Sequence, residues 1–168
     1  TETLAGMKPA FKKDGTVTAA NASGINDGAA AIVLATGGEV EKRGLKPLAK
    51  IIAWGHAGVE PEYMGEGPIK AVPVALKRAG LTLDQIDVIE SNEAFAAQAL
   101  SVAKALGFDR AKLNPNGSGI SLGHPVGATG TMLAIKAAYE LRRTGGRYGL
   151  ITMCIGGGQG IAMVIESV

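Results

Sequence analysis

The chain has 168 residues, 46% of them apolar and 19% charged, with a formal net charge of +2. That length supports one domain with a core of its own. The charge is too small to argue for a nucleic-acid partner, no apolar run approaches the roughly 20 residues of a membrane span, and a single cysteine excludes an internal disulfide. The lack of a secretory signal fits a cytoplasmic protein, and a start at Thr1 instead of methionine fits a processed or cut end.

Residues 1–28 are rich in turn formers (Asp14-Gly15, Ser23-Gly24, Asn26-Asp27-Gly28), which predicts loops around a short strand at Thr16–Ala20. The continuous apolar run Ala29–Ala35 has the pattern of a strand buried on both faces. It reads either as an extra edge strand or as part of a neighbouring domain. A short helix over 37–44 ends at Gly44 and is stopped by Pro47. Then the pattern becomes regular: a strand over 48–58; a helix over 68–79 with Ile69, Val72, Ala75, Leu76 and Ala79 on one face; an alternating strand over 86–90; a helix from Asn92 to Leu106 closed by Gly107. A short strand at 112–115 leads into a glycine-rich loop, a helix runs over 125–143, and strands over 148–154 and 160–166 form an antiparallel hairpin. The order β-α-β-α-β-α-β-β predicts an α/β fold, a mixed sheet covered by helices on both faces.

Three places combine reactive side chains with special backbone. At Ser91-Asn92-Glu93-Ala94-Phe95 a strand runs into a helix, at the sheet edge where α/β proteins hold ligands. Capping of the helix by Ser91 or Asn92 is the competing reading. In Gly119-Ile-Ser-Leu-Gly-His124-Pro-Val-Gly-Ala-Thr-Gly130, His124 stands between glycine and proline at a helix start. A core histidine is a poor fit there, and the helix N-terminus favours a neutral ring. The small Gly127, Ala128 and Gly130 allow close approach, whether of a ligand or of a packed neighbour. In Cys154-Ile-Gly156-Gly-Gly-Gln-Gly160 a cysteine ends a strand and enters a turn whose backbone N–H groups can converge as an oxyanion hole. A thiolate is a natural base or nucleophile once its pKa is lowered. A Cys, a His and an Asn at strand ends suit either acyl transfer through a thioester carbanion or hydrolysis by a Cys–His–Asn set. One cysteine and no histidine pair at ligand spacing argue against a metal site.

These segments, in this order and spacing, resemble the thiolase family: Asn92-Glu-Ala-Phe95, Gly123-His-Pro125, Cys154 to Gly160, and the earlier Asn21-Ala-Ser-Gly-Ile-Asn-Asp-Gly28. The resemblance implies reversible Claisen condensation and thiolysis of acyl-CoA, with coenzyme A thioesters as substrates and no permanently bound cofactor. It implies that Cys154 is the acid/base cysteine, that His124 faces the thioester oxygen and activates the thiols, and that Asn92 holds a water completing an oxyanion hole with His124. The Gly156 N–H would serve a second oxyanion hole, Ser23 would contact the pantetheine arm, and Phe11, Met64, Ala94 and Phe95 would line its tunnel.

The chain departs from the family in having one cysteine where thiolases use two. Read from its own residues, Cys154 is the nucleophile. The resemblance instead assigns the nucleophile to an N-terminal partner segment. It divides the chain into residues 1–25, the end of the CoA-binding loop region; 26–46, the last strand and helix of the N-terminal domain; and 47–168, the C-terminal domain. The whole enzyme is expected as a homodimer or homotetramer, in the synthesis of acetoacetyl-CoA or in fatty acid metabolism. Two other readings stand beside it: a non-catalytic CoA-binding or assembly subunit, and a Cys–His–Asn thiol hydrolase.

Overall fold

Four strands form one mixed sheet in the computed structural model, which describes residues 2–168, so Thr1 lies outside the described residues. They are β1 (Ala49–Gly58), β2 (Val88–Ser91), β3 (Tyr148–Ile155) and β4 (Gln159–Ser167), in the spatial order β1-β4-β3-β2. β3 and β4 are the predicted antiparallel hairpin, β1 adds to β4 antiparallel, and β2 lies parallel to β3. Six α-helices accompany them: α1 (Glu2–Ala5), α2 (Gly37–Arg43), α3 (Gly67–Ala79), α4 (Ala96–Leu106), α5 (Gly119–Leu122) and α6 (Thr129–Thr144). Among the described residues, no helix is long and apolar enough to cross a membrane.

Side chains alternate across the sheet, so neighbouring residues feed two cores. Ile89, Leu150 and Val164 pack with Val72 and Ala75 of α3 and Val102 of α4. Val88, Ile151 and Ile165, each one residue along, pack with Leu133, Ala137 and Leu141 of α6. Helices therefore cover both faces, as the sequence predicts. The predicted stripe on α3 is the buried one: Val72 and Ala75 are fully buried, and Ile69, Leu76 and Ala79 pack partly buried against the same core. Gly55 lets α3 lie directly on β1, since a Cβ there would come 2.6 Å from the Ala75 backbone nitrogen.

Three predicted strands are not strands. Thr16–Ala20 is loop, because Asn21 folds back on it: its Oδ1 accepts from the Thr18 N–H at 2.8 Å and its Nδ2 donates to the Thr16 carbonyl at 2.9 Å. The stretch 112–115 is reduced to one bridge between Leu113 and Ile89, because Asn114 turns the chain away at φ +48°. Ala29–Ala35 belongs to no helix or strand and has no ladder partner among the described residues; Val33 is 94% and Leu34 75% exposed. On the α6 side of the sheet, Trp54 of β1 pairs with Met163 and remains 58% exposed, with Ile51 and Ile161 exposed near it.

Candidate active site

β2 delivers Asn92 to the edge of the sheet, where its N–H donates to the Thr152 carbonyl of β3 at 3.0 Å. The predicted helix does not begin there. The chain runs on past Asn92 to Phe95, and α4 starts at Ala96 with no side-chain cap, which overturns the capping reading of Ser91 and Asn92. Asn114 clamps this bend instead: its amide accepts from the Ser91 N–H at 2.8 Å and donates to the Ser91 carbonyl at 2.9 Å. The Ser118 hydroxyl donates to the same carbonyl at 3.0 Å. With its backbone fixed, Asn92 points its Nδ2 at the His124 Nε2, 3.3 Å away.

His124 lies one turn before α6, which begins at Thr129, so Pro125 belongs to the preceding turn and not to the helix. Its N–H donates to Asn26 Oδ1 at 3.0 Å, and Gly28 packs so tightly on Pro125 that a Cβ would approach the ring to 2.7 Å. The 21–28 motif thus braces the histidine loop from outside. On the inner side His124 Nδ1 stands 2.7 Å from Thr129 Oγ1, whose own proton goes to the Pro125 carbonyl at 3.0 Å. A hydroxyl has one proton to give. Thr129 must therefore accept from Nδ1–H, which leaves the Nε2 lone pair facing Asn92 Nδ2. Burial holds the His124 pKa below the ordinary histidine value. The ring is neutral as expected from sequence, but the cause is desolvation and not a helix terminus.

Cys154 pairs with Gly160 in the β3–β4 hairpin and is 8% exposed. It lies two residues beyond Thr152, the partner of Asn92, so the strand ends bearing Asn92 and Cys154 run side by side. Burial pushes its thiol up, against a smaller backbone hydrogen-bond effect, so the fold alone does not supply the lowered pKa that thiolate chemistry needs, and the resting group is S–H. The turn after it is carried by Gly157 and Gly158 at φ +82° and +86°, while a Cβ on Gly156 would meet nothing within 4 Å. Open space beside the Gly156 Cα leaves room for a ligand to approach its backbone. Behind the turn, Gly160 and Gly67 at the start of α3 touch backbone to backbone, where a Cβ on Gly160 would lie 2.1 Å from the Gly67 carbonyl carbon.

Four of the five residues expected along a pantetheine tunnel converge. The Ser23 N–H donates to the Ala94 carbonyl at 2.9 Å, Ala22 bridges to Phe95, and the Phe11 and Phe95 rings meet edge to face at 6.0 Å. Phe11 remains 75% exposed. Met64 lies on a kinked 3-10 stretch over Pro61–Glu66 that borders the glycine turn through the Val59 N–H bond to the Gly158 carbonyl at 2.7 Å. Asn26, Asn114 and Thr129 are supporting residues that the sequence reading did not single out. Asn26 and Thr129 lie inside quoted motifs, and nothing in a linear pattern distinguishes Asn114. A neutral imidazole with a free nitrogen, a buried thiol and an open backbone turn form a set able to move a proton and stabilise an oxyanion.

Both the sequence and the fold of this chain match known proteins. The model of the thiolase C-terminal domain matches residues 45–167, and that of the thiolase N-terminal domain matches 1–38. The beta-ketothiolase BktB of Cupriavidus necator is 62% identical over 163 residues, covering 96% of this chain and 41% of that protein. The crystal structure of the Bacillus anthracis acetyl-CoA acetyltransferase superposes with a TM-score of 0.97 at 49% identity, over 99% of this chain and 42% of that one. The human mitochondrial 3-ketoacyl-CoA thiolase, solved in complex with CoA, superposes with a TM-score of 0.91 at 44% identity, again over 99% and 42%. The chain therefore spans about two fifths of the length of the relatives it matches, and by both sequence and fold it belongs to the thiolase family.

Proposed function

We propose that this chain supplies the acid/base side of a thiolase, acting on coenzyme A thioesters together with an N-terminal segment that carries a nucleophilic cysteine. The observation that carries the reading is the Asn92–His124 contact of 3.3 Å, set on the strand beside the one that bears Cys154. In the first step His124 Nε2 takes the proton of the partner's thiol, which Thr129 permits by holding the ring proton on Nδ1. The thiolate attacks the first acyl-CoA, and CoA leaves as its thiol by taking the proton of Cys154, which is left as the thiolate. Cys154 then removes the α-proton of the second acyl-CoA. The enolate oxygen is stabilised by the protonated His124 and by a water on Asn92, and the enolate carbon attacks the acyl-enzyme. The Gly156 N–H receives the new oxyanion, whose collapse frees the 3-ketoacyl-CoA. Thiolysis is the same path reversed, with the Cys154 thiol returning the proton.

In this reading residues 1–25 end the CoA-binding loop region, with Ser23, Ala94 and the Phe11–Phe95 pair along the pantetheine arm and Met64 nearer the acyl end. Residues 26–46 complete the N-terminal domain and 47–168 form the C-terminal one. The exposed apolar run at 29–35 and the exposed Ile51, Trp54 and Ile161 support a partner that covers them. The whole enzyme then assembles as a dimer or tetramer.

Intact-mass spectrometry of the assembled enzyme, denatured before and after incubation with acetyl-CoA, tests the proposal. The expected result is an acetyl group on the partner segment and none on this chain. An acetyl group on Cys154 would make it the nucleophile and overturn the assignment.

A further inference from the structure

Asn92 helps line a cavity of about 10 Å³ whose wall also includes Ser118, Gly119, Gly123, Thr129 and Lys136. That is room for one water centre. Asn92 is 1% exposed, and its Oδ1 is buried with no hydrogen-bond partner. This oxygen is directed toward the cavity wall at Gly119, where a Cβ would approach it to 3.0 Å. The Lys136 ammonium bonds Glu90 Oε2 at 2.6 Å and the Gly117 carbonyl, which uses two of its three donors. Glu90 is fully buried on β2, two residues before Asn92, so it fixes the ammonium from the strand that presents the amide.

We propose that this cavity holds one ordered water that accepts from Lys136 Nζ and donates to Asn92 Oδ1, and that the Glu90–Lys136 pair thereby positions the Asn92 amide. The water satisfies both groups: the spare N–H of Lys136 finds an acceptor and the orphaned carbonyl oxygen a donor. It also breaks the symmetry of the amide. With Oδ1 held toward Lys136, Nδ2 must face His124 Nε2, the orientation that matches the tautomer Thr129 imposes. Lys136 is a positioning residue here, acting on the chemistry only through Asn92. The kinetic part of this inference rests on the thiolase reading above; the water does not.

The first test is a crystal structure of the assembled enzyme at a resolution that shows solvent. One peak within hydrogen-bond distance of both Lys136 Nζ and Asn92 Oδ1 is expected; a dry cavity overturns the proposal. The second is a double-mutant cycle. Lys136→Met should lower kcat for condensation by up to about 100-fold, as misplacement of a reacting group does, with little change in KM. In an Asn92→Ala background it should cost nothing further, because the residue it acts through is gone. Additive losses would show that Lys136 acts elsewhere and would overturn the positioning role. If Lys136→Met leaves Glu90 buried and unpaired and the protein fails to fold, Glu90→Gln/Lys136→Met replaces it in the same cycle. An assembled enzyme with no acyl transfer at all would sink the functional reading, while the solvent peak still decides whether the water is there.

Discussion

Asn92 Nδ2 and His124 Nε2 stand 3.3 Å apart although 32 residues separate them in the chain. Neither reaches this position by local preference. Asn92 sits at a strand end that Asn114 and Ser118 clamp, and His124 sits in a loop that Asn26 and Thr129 brace from opposite sides. The separation of roles that follows can be measured.

Cys154→Ala should stop carbon–carbon bond formation in the assembled enzyme while the acyl-enzyme still accumulates. The check is intact mass for acylation beside an assay for 3-ketoacyl-CoA. Loss of acylation itself would mean that Cys154 acts before the condensation step.

Thr129→Val removes the acceptor that keeps the His124 proton on Nδ1, 2.7 Å away. The acylation rate should fall by about 10- to 100-fold, the usual effect of losing a partner that orients a functional histidine. Thr129→Ser keeps the hydroxyl and should restore most of the rate. Equal loss in both variants would show that the hydroxyl alone does not set the rate, and an unchanged rate in Thr129→Val would refute its role.

Gly160→Ala should weaken folding by about 1–3 kcal/mol, the range for overpacking a tight contact. Its Cβ has no room beside Gly67, 2.1 Å from the carbonyl carbon. A denaturant midpoint equal to that of the parent protein would refute the close approach. Gly156→Ala, where a Cβ meets nothing within 4 Å, should leave the midpoint nearly unchanged.

Acid stability should depend on Glu140. The Arg143 guanidinium, with help from the Asn116 amide, holds this carboxyl down at about 2, against an ordinary value of 4.5. A carboxylate with a depressed folded pKa stabilises the native state above the unfolded value and loses that contribution as the pH falls. The stability difference between parent and Glu140→Gln should therefore be constant above pH 4.5 and shrink between 4.5 and about 2. A difference that stays flat across that window would show that the Arg143–Glu140 pair makes no net contribution.

Much of this was legible in the linear pattern wherever a local signal decided the outcome. The glycines after three predicted helices stop them in the left-handed region, at φ +60° for Gly44, +68° for Gly80 and +69° for Gly107. The β3–β4 hairpin and the stripe on α3 were read from alternation and helical spacing. What was lost depended on distant partners. Asn92 has the chemistry of a cap, but its amide is drawn to a histidine 32 residues away. Thr129 looks like one more small residue in a glycine-rich run until the fold places it against Nδ1. The helix start at His124 was misplaced by one turn, because Pro125 suits both the first helical turn and the turn before it. Ala29–Ala35 has the composition of a buried strand, and composition does not say which neighbour buries it.

That last segment governs how the protein must be handled. An extended apolar run with free N–H and C=O groups pairs with whatever strand reaches it first. Made alone at high concentration, the chain meets mostly copies of itself, and pairing of 29–35 between copies leads toward aggregates. Under the proposed function, an N-terminal segment that claims this edge would turn the same residues into a seam, so yield and assembly would be competing outcomes of one surface.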